Sequence, residues 1–115
     1  MDPKMLPPTI REKRRYIAYE VISDGKIEYG DITEAVVNSA QSLFGDFGLS
    51  EMGLWHIMNL YDSEKQRGII KCAHSAVEKA RLAVTAVQMA GETKATINIL
   101  GVTGTIKNAQ QKHLK

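Results

Sequence analysis

The chain has 115 residues, 43% of them hydrophobic and 24% charged, enough for one domain around a single core without disulfide or metal support. These fractions exclude a fibrous or disordered chain; the apolar runs are too short to span a bilayer, and residues 1–6 lack the apolar core of a secretory signal, so a cytoplasmic location is expected. The formal net charge of +2 hides an asymmetry: residues 1–15 carry net +3 and residues 94–115 net +4, leaving −5 for the middle. Basic ends on an acidic body are the pattern expected where termini grip a polyanion.

In chain order, Arg14–Ser23 is rich in aromatic and branched residues and closes on Asp24-Gly25, which predicts a strand and a turn. Asp31 with Glu34 three residues on is expected to cap a helix whose inward positions, at helical spacing, are Ile32, Ala35, Val36, Ser39, Leu43, Phe44 and Phe47, ending at Gly45 to Gly48. Gly53–Tyr61 and Arg67–Ala73 are two apolar runs joined by the polar loop DSEKQ, so they are expected to pair as a hairpin. Ser75 is the expected cap of a second helix reaching about Ala90, with Gly91 as its stop. Alternation over Lys94–Thr103 predicts a last strand. The order is βαββαβ: an α+β, ferredoxin-like or RRM-like fold with an antiparallel sheet and both helices on one face. One domain covers residues 1–115, with a basic arm at 1–13 and a basic tail at 104–115.

The second strand is an edge in that topology, and its apolar residues Leu54, Trp55, Met58 and Tyr61 are the candidate protein interface, toward another subunit or a second copy of the chain.

No catalytic constellation can be assembled from these residues. Cys72, the one cysteine, lies in GIIKCA, where a small buried hydrophobe is the expected role rather than a nucleophile. His56, His74 and His113 are too scattered for Cys/His zinc spacing, and no metal ligand is expected in the protein. The RNA-stacking motif of an RRM third strand is matched at Arg67-Gly68 and then loses every aromatic. The remaining mode for nucleic acid is recognition of folded RNA by shape and phosphate. Near the end, Gly101 and Gly104 enclose two residues and Lys107 follows late. That spacing fits no Walker A loop, and the segment follows a strand rather than joining two helices as a KH loop does.

LPPTIREKRRYIAYEV at the start, RGIIKC in the third strand and LGVTGTIK at the end together resemble the archaeal and eukaryotic ribonuclease P protein component 2 family. The resemblance runs over nearly the whole chain in the right order, and the compact length looks archaeal. It implies a non-catalytic subunit of the ribonucleoprotein that removes 5′ leaders from pre-tRNA. The ribonuclease P RNA would perform the chemistry with Mg²⁺, and ribonuclease P protein component 3, a barrel-like subunit, would be the protein partner. The same resemblance carries Arg11, Lys13, Arg14 and Arg15 onto the family's basic entry segment, and Gly101, Thr103, Gly104, Thr105 and Lys107 onto its terminal motif. Arg67, Lys71 and Lys112 join them as candidate RNA contacts through their charge. Topology sets the start of the first strand beside the end of the last, so Arg14, Arg15 and Lys107 are expected to share one patch, with glycine backbone open to phosphates. The competing readings on this scaffold are an acylphosphatase-like enzyme or small-ligand module, and an assembly protein that touches only proteins.

Overall fold

A computed structural model of the chain describes residues 13–56 and 60–113, without the side chains of Trp55, His56 and His113. Its elements are β1 (Arg14–Ser23), α1 (Tyr29–Met52), β2 (Trp55–His56), β3 (Arg67–Ala73), a 3₁₀ turn (His74–Ala76), α2 (Val77–Thr85), β4 (Met89–Ala90), β5 (Thr93–Thr103) and α3 (Ile106–His113). The sheet order is β2-β3-β1-β5-β4, with every neighbouring pair antiparallel. This is the expected ferredoxin-like arrangement, extended by the two-residue β4 and by a third helix.

Strand pleat assigns the faces. Ile17, Tyr19 and Val21 of β1, Ile70 and Cys72 of β3, and Ala95 and Ile97 of β5 form one core with Ile32, Val36 and Ala40 of α1 and Ala80, Ala83 and Val84 of α2. Ser39 Oγ donates to the Ala83 carbonyl at 2.7 Å and ties the two helices. Tyr19 faces Gly68 across the β1–β3 pair; a Cβ at Gly68 would stand 2.7 Å from the Tyr19 hydroxyl oxygen, so only glycine fits beneath that ring. On the opposite face Ala18 and Ile69 are also fully buried, as is Ala109 of α3. They stand apart from the main core, and α3 contacts β1 and β5. The third helix therefore lies over the sheet face that α1 and α2 leave uncovered.

Several boundaries differ from the sequence expectation. The first helix begins at Tyr29 with Glu28 at the capping position and no side-chain cap; Asp31 is already helical, its N–H bonded to the Glu28 carbonyl. Gly45 does not end this helix. Its φ of 74° kinks it, and the chain turns helical again to Met52, where Gly53 at φ 59° makes the left-handed stop. Leu49 and Met52 pack on the core, which gives the second segment a buried stripe to continue for. The second strand is only Trp55–His56 rather than 53–61, and Met58 lies outside the described residues. The second helix stops at Thr85, and Gly91, at φ 60°, turns the β4–β5 hairpin instead of ending a helix. Ser75 falls inside the 3₁₀ turn rather than at the helix cap, which Ala76 occupies without a side-chain bond.

Candidate nucleic-acid interface

The register brings three chain segments to one end of the sheet. Tyr16 pairs with Thr103, so β1 begins where β5 ends. On its other side Arg14 and Arg15 pair with Ala73 and Cys72, and the His74 N–H donates to the Lys13 carbonyl at 2.8 Å. Lys13, Arg14 and Arg15 are thereby held between the ends of β3 and β5. Arg15 Nη1 donates to the Arg14 carbonyl at 3.0 Å and lies 4.0 Å from where a Gly104 Cβ would be. Of the patch expected from Arg14, Arg15 and Lys107, the structure brings the Arg15 side chain beside Gly104.

That motif divides into parts with different tasks. Thr105 caps α3: its Oγ1 accepts from the Asn108 N–H at 3.1 Å, and its carbonyl accepts from Ala109 at 3.2 Å. Thr103 Oγ1 donates to the Thr105 carbonyl at 2.9 Å, fixing the approach to the helix. Lys107 is exposed in the first turn of α3, beside helix N–H groups whose dipole favours an anion. Gly104 is exposed, and only Arg15 comes near its missing side chain. Gly101 is instead a strand residue paired with Ala18, half-buried in the strip that α3 overlies. Neither glycine has positive φ, so close approach is the property that remains to explain Gly104.

Lys71 shares a register row with Tyr16 and Thr103 on the face that carries α3, next to the basic end. Lys112 is exposed toward the far end of α3. Arg67 is elsewhere: it pairs with Glu20 across β3–β1, roughly 20 Å along the strand from Arg14, and its Nε holds Glu20 Oε2 at 2.8 Å. Arg11 lies outside the described residues. Among the described residues Arg15 and Lys107 have no carboxylate partner.

The candidate protein edge is only partly an edge. Leu54 is half-buried against the core. Tyr61 donates its hydroxyl to the Ile27 carbonyl at 3.0 Å and packs on Tyr29 with ring centroids 5.8 Å apart; burial raises its pKa. Trp55 contributes backbone, pairing with Lys71 at the sheet margin.

Cys72 points into the core, where burial lifts its thiol to about 11, against a smaller opposing pull from Arg14 and Arg15. It is a buried hydrophobe rather than a poised nucleophile. Among the described residues no three His, Cys, Asp or Glu side chains converge as a metal site.

Sequence reasoning missed Gln66, which sits at φ 54° in the loop before β3. Its amide donates to the Val21 carbonyl at 3.1 Å and to Ser23 Oγ at 3.0 Å, and accepts from the Ile27 N–H at 2.7 Å. A polar residue just before an Arg-Gly strand start carries no periodic signal that would have marked it.

The family model for the Rpp14/Pop5 family matches residues 15–114. Ribonuclease P protein component 2 of Methanosarcina acetivorans is 38% identical over 112 residues, covering 97% of this chain and 82% of that protein. Its counterpart in Pyrococcus furiosus is 39% identical, covering 97% and 92%. A chain of the cryo-EM structure of yeast ribonuclease MRP superposes with a TM-score of 0.64 at 12% identity, covering 82% of this chain and 76% of that one; this last likeness concerns the fold.

Proposed function

The chain belongs to the Rpp14/Pop5 family, and from that premise we propose that it is a non-catalytic, RNA-binding protein subunit of ribonuclease P that supports the RNA in removing 5′ leaders from pre-tRNA. The observation that carries the reading is the convergence of Lys13, Arg14 and Arg15 with Gly104, Thr105 and Lys107 at one end of the sheet. Cationic side chains there neutralise phosphates, while an exposed glycine and the N–H groups of α3 let the backbone approach them. Such contacts position a folded RNA without reading its sequence.

In this reading Mg²⁺ is held by the RNA, where it supplies charge stabilisation for phosphodiester hydrolysis; the protein's residues hold the backbone in place. Lys71 extends the patch across the face that carries α3, and Lys112 adds a contact along α3. Arg67, engaged by Glu20, contributes mainly to the sheet. The protein partner, ribonuclease P protein component 3 or a second copy, would take the side of the sheet where β2 is the edge strand. The particle would work in the cytoplasm; among the described residues no helix is long and apolar enough to cross a membrane.

The test is capture of the tagged full chain from a native lysate of its own cells, with sequencing of the retained RNA. Ribonuclease P RNA should dominate the recovered reads. Recovery of proteins with no enriched RNA would favour a purely protein-binding assembly role.

A further inference from the structure

We infer that the groove between α1 and the segment joining α2 to β4 is a docking site for a basic amphipathic helix of a protein partner. One wall is a stripe of α1 that includes Asp31, Glu34, Asn38 and Leu43; the other includes Val87 and Met89. From Asp31 to Leu43 the helix rises about 18 Å, the length of roughly three turns of a second helix laid alongside. The walls are pinned, because Ser39 at the floor donates to the Ala83 carbonyl at 2.7 Å. The groove is thus formed before anything enters it.

Its lining combines apolar and acidic side chains. Leu43 and Met89, on the two walls, are 46% and 47% exposed. Exposed large apolar side chains lining one groove mark an interaction site. Asp31 and Glu34, both exposed, are the only charged residues lining the groove among the described residues, at the end where Gly91 closes it. The Asp31 carboxylate lies against the hairpin turn, its carbon 3.2 Å from where a Gly91 Cβ would be. The nearest base by register is Lys94, the partner of Met89 across the hairpin.

An acidic rim repels RNA, so the occupant is a polypeptide. Its complement is a helix with Leu- or Met-like residues at i, i+3, i+4 and i+7 facing Leu43, Val87 and Met89 and Lys or Arg beside Asp31 and Glu34. A second copy is a poor fit. Its α3 carries Lys107 and Lys112 and no acid, but its buried Ala109 already faces its own sheet.

The full chain, labelled with ¹⁵N, is titrated with a synthetic Leu/Lys amphipathic peptide of about 14 residues and with a twin carrying Glu for Lys. The Lys peptide should shift the amides of Glu34, Asn38, Leu43, Val87 and Met89, and the Glu peptide should not. Glu34→Lys, at an exposed site, should keep the spectrum of a folded protein, leave RNA affinity unchanged and weaken the Lys peptide about fivefold or more. Leu43→Ser should weaken it as well. The inference is overturned if the Lys peptide perturbs another surface or none, if the two peptides bind alike, or if Glu34→Lys binds as wild type does. Groove amides that move on raising the protein concentration alone would assign the surface to a second copy and also overturn it.

Discussion

Cys72 is the residue at which a catalytic and a structural account separate most sharply. Its thiol is buried in the core, and burial raises its pKa from 9.0 to about 11. Between those values the unfolded chain has lost a proton that the folded chain retains, so stability falls as pH rises from 9 to 11. Wild type should therefore lose stability more steeply over that window than Cys72→Ala, which keeps every other titrating group. Urea titrations at several pH values would read this difference. A thiol activated for chemistry would have a depressed pKa and the opposite slope. Residues of this kind are legible in sequence because an alternating strand assigns them to a face. Tyr61 was not. It reads as an edge-strand aromatic, yet its hydroxyl is committed to the Ile27 carbonyl, a partner 34 positions away that only the folded chain supplies. Gln66 is hidden for the same reason, since its three bonds reach Val21, Ser23 and Ile27.

Among the elements, β1 and β3 have the bounds that composition predicts, whereas the helix ends and the second strand do not. Strands inside the sheet are marked by branched residues over their whole length, but a glycine in a helix carries two meanings. Gly45 kinks α1 and Gly53 ends it; which does which depends on whether the following residues have a core to pack on. Likewise Met89 and Ala90 continue the apolar period of α2, but β5 offers them a strand to pair with. The third helix is the element whose charge, counted in the sequence, marks it as a basic tail. Its stability rests on the Thr105 cap and on Ala109 against the sheet. Thr105→Ala should cost about 1 kcal/mol, read by urea denaturation, and should speed amide exchange in α3 while the exchange of β1 and β3 barely changes. Uniformly faster exchange would mean that the turn supports the whole sheet.

For the whole molecule, the fold order, the one-sided main core and the meeting of the start of β1 with the end of β5 were legible because each follows from periodicity, strand order and charge counted along the chain. The division of labour within LGVTGTIK was not, since two glycines and two threonines give no sign of which is strand, turn or cap. The acidic groove on the helical layer also escaped, because its walls come from α1 and from residues 86–91 and meet only after folding. The resulting molecule has opposed surfaces: a basic end where β1, β5 and α3 converge, and an acidic, apolar-walled groove between α1 and the α2–β4 segment. The central claim is that the basic end holds RNA through phosphates. Its most direct test is the affinity of the full chain for ribonuclease P RNA measured across a range of salt concentrations, beside a variant with Arg14→Glu and Arg15→Glu. With about four phosphates contacted, the log-log slope should be about −3 to −4 for wild type and shallower by about one per contact removed, with the variant still folded. A slope unchanged in the variant would contradict the account and place the RNA on another surface.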